Sequence, residues 1–456
     1  LLRPPISTLF PYTTLFRSEV GDMFGQKKHG GFLAPGMDFA FGFTGDGYID
    51  RALQNDWLIC NDSVVSPASS NALEDLQLRI SLEPIRDLKI DLTANRTRNR
   101  SREIQYMFEG MPDTRSGNFS MSIISIGSAF ERPSAGDGYH SGTFERFRRN
   151  LDVIRDRVES QFLGAQYPQG SILAGKTFDP ANGTISKHSP DVMIPAFLAA
   201  YTGKSARNSA LDFFPSLFSM MPNWRITYTG LTKIAWFKKN FRSVNLNHAY
   251  RSTYSVGSYN TFQSFMSYMG DIGFVEDVQS GNPIPSSRFD ISMVSINEQF
   301  SPLIGMDATL KNGLTAKVEY KTSRILNLSM SACQLVETAS RDFVIGLGYK
   351  IVNFNLFSGR NVKDSKNRVS HDLALRADIS FRNQSALCRD IQQGFAQATN
   401  GNKALKISCS ADYTLSRLLT LRLYYDRQQN TPLVSSSSYP VVSADFGFSM
   451  KFSLTR

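Results

Sequence analysis

The sequence predicts an all-β fold: the C-terminal fragment of a very large transmembrane antiparallel β-barrel, with a partly helical insertion. Three observations carry this expectation. Apolar and polar residues alternate with a period of two along segment after segment, which is the mark of strands with one greasy and one wet face. The longest alternating run, from Leu314 to Ala332, keeps one phase for almost twenty residues, whereas strands of soluble proteins average about 5–6. The chain closes on an amphipathic strand in which Phe448, Met450 and Phe452 alternate with small or polar residues and Gly447 lies among them. Such a strand resembles the signal by which outer-membrane barrels are inserted, although Arg456 stands last where an aromatic is usual.

Leu1–Ser18 is excluded from this reading as not native. Leu9–Ser18 back-translates to CTC TTT CCC TAC ACG ACG CTC TTC CGA TCT, the text of a sequencing-adapter oligonucleotide. The chain is therefore expected to be a truncated fragment. Without Arg3 and Arg17 the net charge falls from +10 to +8.

Residues 19–126 read as barrel strands and loops, with Leu88, Ile90, Leu92 and Ala94 alternating against Asp87, Lys89, Asp91 and Thr93. Residues 127–222 break the pattern. There Phe144, Phe147, Leu151, Ile154 and Val158 recur at spacings of three and four, which predicts an amphipathic helix. Asp191–Tyr201 and Ser209–Met220 are short apolar segments that need a partner surface. This insertion is expected to be a cap, a plug-like element or a docking site. Residues 223–456 return to strands, about a dozen to fifteen in the whole chain. Asn312-Gly313 is a two-residue hairpin signal because both positions tolerate positive φ. A tight turn is expected between Tyr413 and Leu418, and long loops over Arg382–Lys403 and Arg427–Pro440. Short turns on one side and long loops on the other are the habit of barrels whose turns are periplasmic.

No stretch of about 18 apolar residues is present, so no transmembrane helix is expected. A barrel needs none, since its strands show lipid only every second residue. On this basis Leu373, Leu375, Ile379, Leu421 and Leu423 are assigned to the lipid-facing side, and Asp372, Arg376, Asp378, Arg422 and Lys451 to a water-filled lumen. The 33 Phe and 17 Tyr suit the aromatic girdles of such barrels. A lipid-embedded sheet cannot leave edges unpaired, so closure needs strands beyond this fragment.

Composition excludes other classes. Basic residues are scattered and interleaved with acids, so no nucleic-acid partner is expected. Cys60, Cys333, Cys388 and Cys409 have no zinc-ligand spacing. They read as small apolar fillers, with a Cys388–Cys409 contact across neighbouring strands as the alternative. His29, His140, His188, His248 and His371 form no HExxH or other ligand pattern. Gly346-Leu347-Gly348 is half a dinucleotide fingerprint placed mid-strand, where small residues relieve crowding. Asp46-Gly-Tyr-Ile-Asp50 reads as a solvated turn rather than a calcium loop. No catalytic, metal or cofactor site is expected, and no enzyme activity.

Several segments resemble the SprA/Sov family, the outer-membrane translocon of the type IX secretion system. They are Pro35–Gly42, Leu82–Leu92, Asp191–Gly203, Pro222–Leu231, His248–Tyr254, Phe343–Tyr349 and Leu421–Arg427, in order along residues 19–456. The resemblance implies an integral outer-membrane channel of Gram-negative Bacteroidetes, passing folded cargo with C-terminal sorting domains to the cell surface and supporting gliding motility. It also implies a shuttle barrel protein at a lateral opening, a periplasmic plug protein, contact with outer-membrane lipid, and energy from an inner-membrane motor. The alternative is a TonB-dependent or porin-like transporter barrel.

Overall fold

The computed structural model describes residues 7–9, 12–17, 46–55, 57–58, 67–105, 113–131, 133–352, 354, 372–415, 419–434 and 439–452. Pro35–Gly42, Cys60 and His371 lie outside them. The chain is all-β, built on one fifteen-stranded antiparallel sheet with a separate three-stranded one. Two short strands, β1 (Ser7–Leu9) and β2 (Tyr12–Arg17), pair along the outer edge of β3 (Ala68–Ile85). An open strand edge is a template for any extended segment, so this backbone pairing needs no particular side chains.

From β3 the wall continues through β4 (Leu88–Ile104) and β5 (Thr114–Ser122). Beside β5, the short β6 (Asn223–Tyr228) also pairs with β4 and with the next wall strand, β7 (Phe241–Thr261). At the top, β8 (Met266–Met269), β9 (Ile272–Glu276) and β10 (Pro283–Ser287) make the small sheet, and β11 (Phe289–Ile291) pairs with β7. The remaining wall is a meander of β12 (Met293–Leu310), β13 (Leu314–Ser329), β14 (Gln334–Ile351), β15 (Leu373–Asp390), β16 (Ala396–Thr414), β17 (Leu419–Pro432) and β18 (Val441–Phe452). Among the described residues β18 pairs with β17 alone.

Among the described residues four α-helices accompany the sheet: α1 (Asp46–Gln54), α2 (Gly142–Ser160), α3 (Pro190–Tyr201) and α4 (Ala235–Asn240). Helix α2 buries Phe144, Phe147, Leu151, Ile154 and Val158, the five residues whose spacing predicts it. Helix α3 is buried all round, with Val192, Met193, Ile194 and Phe197 inaccessible, so it has a hydrophobic core on every side. Both lie between β5 and β6 and share one core with Phe119, Tyr254, Ile296, Leu326 and Leu335 of the wall.

Several boundaries differ from expectation. The Leu314–Ala332 run is strand only to Ser329, and Met330–Cys333 form a turn with Cys333 at φ 48. Met330 is buried and keeps the phase of the strand, which disguises the turn. The longest strand is instead β7, with 21 residues. Arg382–Lys403 is not a long loop: β15 runs to Asp390 and β16 starts at Ala396. Likewise β17 extends to Pro432, so the Arg427–Pro440 loop shrinks to residues 433–440. In β17 the strand continues through residues polar on both faces, and in β15 the apolar phase is interrupted by Arg389, buried two residues after Leu387, so alternation fades in both. Asp46–Asp50 begins α1 rather than a turn, with Tyr48 and Ile49 in a small core against Trp57 and Ala68. Cys388 pairs with Gln397 and Cys409 with Ala377, so those two cysteines do not meet. The Asn312-Gly313 hairpin is present, with Gly313 at φ 89.

Candidate functional site: a two-faced wall and a clamped insertion

Register sorts the wall into two faces. Leu246, Met306, Val318, Ile345, Ile379 and Ile407 lie directly opposite one another on successive strands, forming one apolar row. One residue away, on the other face, the matching row is Asn245, Asp307, Lys317, Gly346, Asp378, Ser408 and Asp426. The five apolar residues singled out from sequence (Leu373, Leu375, Ile379, Leu421 and Leu423) share the first face. The five charged ones (Asp372, Arg376, Asp378, Arg422 and Lys451) share the second. Leu375, Ile379 and Leu423 remain solvent-exposed in this chain. On the charged face Lys350 pairs with Asp372 at 2.7 Å and Arg422 with Asp412 at 3.6 Å. Gly346 leaves room here for the Asp378 carboxylate, which would have to shift if a Cβ were added, since it would lie 2.6 Å away. In the last strand Phe448, Met450 and Phe452 join the apolar face, while Gly447 turns the other way beneath the ring of Tyr424.

The apolar face is bounded by aromatics. Its upper border runs through Trp224, Tyr250, Phe300, Tyr320, Phe343 and Phe381, with Trp224 stacked on Tyr250 at 4.5 Å and Tyr250 against Phe300 at 4.8 Å. Its lower border carries Phe241, Tyr349 and Tyr413, and Trp236 of α4 packs on Phe241. The two borders are roughly 20–30 Å apart along the strands, at about 3.3 Å per residue.

Above the upper border the same face is covered by the insertion. The chain leaves the wall at Ser122 and returns at Asn223, and both ends sit in one seam between β4 and β7. Side chains replace the ladder bonds lost there. The Asn95 N–H donates to Ser122 Oγ (3.0 Å), the Ser252 N–H donates to Asn223 Oδ1 (2.7 Å), and Asn223 Nδ2 donates to Ser122 Oγ (3.2 Å). Buried amides must find such partners.

Two buried ion pairs clamp the insertion down. Glu298 of β12 accepts from Arg324 Nη2 (2.7 Å), Ser125 Oγ (2.7 Å) and Tyr250 OH (2.8 Å). Arg324 of β13 in turn donates to the Ser128 carbonyl (2.6 Å) and hydroxyl (2.9 Å), and lies over the Tyr201 ring. Glu337 of β14 accepts from Arg389 of β15 (3.0 Å), which donates to the Tyr139 carbonyl (2.6 Å) and faces the Phe144 ring. On β4 an arginine ladder completes the row. Arg96 and Arg98 stack on Phe119 and Phe214, Arg100 meets Glu74 at 2.5 Å, and Arg102 is held by Asp50 and Asp113. Sequence reasoning did not single out the charged residues of these clamps on β4, β12, β13, β14 and β15. Their signal is charge in phase with apolar neighbours, as in Ile296-x-Glu298-x-Phe300, and arginine at every second position from Arg96 to Arg102.

Two carboxyls of the insertion are shifted in opposite directions. Burial would raise the Glu131 carboxyl, but the Ser141 and Thr143 hydroxyls and the Thr143 N–H bind its charged form and hold it below the ordinary 4.5. With Ser141 Oγ accepting from the Phe144 N–H (3.1 Å), these bonds cap α2. A lowered carboxyl stabilises above its ordinary value and ceases to do so as pH falls through the folded value. Burial pushes Asp191, at the start of α3, the opposite way, outweighing the bonds it accepts from Ser287 and Ser286. Its penalty is therefore relieved by acid. We predict that the Thr143 and Phe144 amides lose hydrogen-exchange protection on acidification below pH 4.5, and that Glu131→Gln removes this pH dependence. Protection that fell equally in both proteins would assign it to another group.

Among the described residues no cluster of His, Cys, Asp and Glu could hold a metal. No helix is long and apolar enough to cross a membrane, which says nothing of strands. No family model and no curated protein matches the chain. Among solved structures it is similar to the β domain of the Bordetella autotransporter BrkA, at 6% identity over 86% of this chain and 94% of that one, with TM-score 0.24. It is also similar to OmpT, an outer-membrane protein of Vibrio cholerae in its trimer form, at 9% identity over 98% and 99%, with TM-score 0.21. Neither score carries an argument. The fold assignment rests on the strand register.

Proposed function

We propose that this chain is part of the wall of an outer-membrane β-barrel channel, its apolar band in lipid and its charged face lining a hydrated passage. The observation that carries the reading is the band itself. It runs roughly 20–30 Å along strands that tilt by about 35–45° in such barrels, a scale comparable to their roughly 25 Å apolar belt, aromatics edge it on both sides, and the opposite face is polar at the same level. Asp307, Lys317, Asp378 and Asp426 would be costly to bury without water or partners. The wall counts strand after strand without closing among the described residues, which favours a barrel wider than the eight-stranded kind whose interior side chains fill.

The family-like segments take the proposal further, to the protein-conducting translocon of type IX secretion. Folded cargo with C-terminal sorting domains would slide past a wall that holds water more tightly than it holds protein. A shuttle barrel protein and a periplasmic plug protein would be its partners. The test is twofold. The protein should resist salt extraction and yield only to detergent. The intact channel, freed of its plug protein, should conduct strongly in planar bilayers. A channel that stays closed without its plug would overturn the translocon reading, and release by salt would overturn the membrane reading.

A further inference from the structure

The insertion covers the same face of the wall that carries the apolar band, and it leaves the charged face free. Leu326 and Leu328, buried under α2 and α3, are in phase with Val318 and Tyr320 of the band on the same strand. On the opposite face at the insertion's level, Ser255 bonds only across to Ser295 of the neighbouring strand (2.8 Å). The insertion also ends where the band begins. Glu298 lies under it, and Phe300, two residues on, belongs to the upper aromatic border.

Resting on the membrane reading above, we infer that the insertion is a ledge on the outside of the barrel, standing on the surface of the bilayer. Its exposed apolar turn, led by Phe218, dips into the boundary between headgroups and acyl chains. Phe218 is 96% exposed, and Leu217 (44%) and Met221 (39%) beside it are also open. This turn is tied to the seam by the Met221 N–H, which donates to the Ser122 carbonyl at 3.1 Å. Met221 thus lies only three residues before Trp224 of the aromatic border. Phe130, also from the insertion and 55% exposed, joins that border directly with its ring 5.4 Å from Phe300. The patch is continuous with the band on the same face, and the occupant of a surface continuous with a lipid-facing band is lipid. Aromatic residues at this depth favour such a boundary.

The test uses the full chain reconstituted in phosphatidylcholine vesicles, with its cysteines replaced by serine and a bimane label at Phe218→Cys or, separately, Ile379→Cys. Spin labels are placed on the lipid near the headgroup or deep in the acyl chain. At Phe218 we expect a blue shift and stronger quenching by the shallow label, and at Ile379 stronger quenching by the deep one. Water-like, unquenched emission at Phe218 with quenching at Ile379 overturns the ledge and leaves the membrane reading standing. Blue-shifted emission at Phe218 that neither label quenches means protein covers the turn, such as a second copy, and also overturns it. No quenching at either site removes the membrane reading itself. Because Phe218 packs on nothing, its substitution spares the fold, and heat-modifiable migration checks this.

Discussion

Glu298→Ala is expected to loosen the insertion from the wall by about 3–5 kcal/mol, the usual penalty for breaking a buried ion pair from one side. The Glu298 side chain is 2% exposed and Arg324 is 9% exposed, so neither charge can turn to water when its partner is removed. The substitution would strand the Arg324 guanidinium and leave the Tyr250 and Ser125 hydroxyls without their acceptor. Hydrogen exchange at Ser125 and Ser128 should rise steeply, while exchange in β14 to β17 stays unchanged. Replacing both Glu298 and Arg324 by methionine should recover most of the loss, since apolar residues of similar volume often serve as well as a buried pair. A single substitution costing under about 1 kcal/mol would place the pair among the surface kind and deny it the clamping role.

The second large effect concerns the band. Leu347 lies near its middle on β14 and is 46% exposed in this chain. Leu347→Arg should cost about 2–4 kcal/mol if that surface meets lipid at the bilayer midplane, and the yield of heat-modifiable protein in the outer membrane should fall accordingly. Ser408→Arg is the control. It lies on the other face between Asp378 and Asp426, where a new cation meets two carboxylates, and it should assemble normally. Equal tolerance of the two arginines would mean that both faces are wet.

The sequence revealed the wall where its two faces differ chemically, and hid it where they do not. Leu373 to Phe381 could be read as strand because its two faces require opposite residue types on alternate positions. Asn383 to Asp390 belong to the same strand, yet the requirement lapses above the aromatic border and the pattern fades into apparent loop. Helix α2 was legible because Phe144 to Val158 keep one buried stripe. The face this helix packs on was not, because that depends on the strand register that puts Leu326 and Ile296 beneath it. The clamps were hidden for a related reason. A charge on an apolar phase looks like an interruption until a second strand supplies its counterion, as β13 does for Glu298 and β15 for Glu337.

The seam at Ser122 and Asn223 makes the hundred residues between them separable from the wall. The strand on one side ends opposite Thr253 and the strand on the other resumes opposite Tyr250, so the two halves are collinear and out of step with nothing. A domain hung at such a point can be enlarged or exchanged over evolutionary time while every neighbouring strand keeps its register, provided the face over Ile296, Leu326 and Leu335 stays covered. The wall and the domain it carries can therefore diversify independently in one polypeptide.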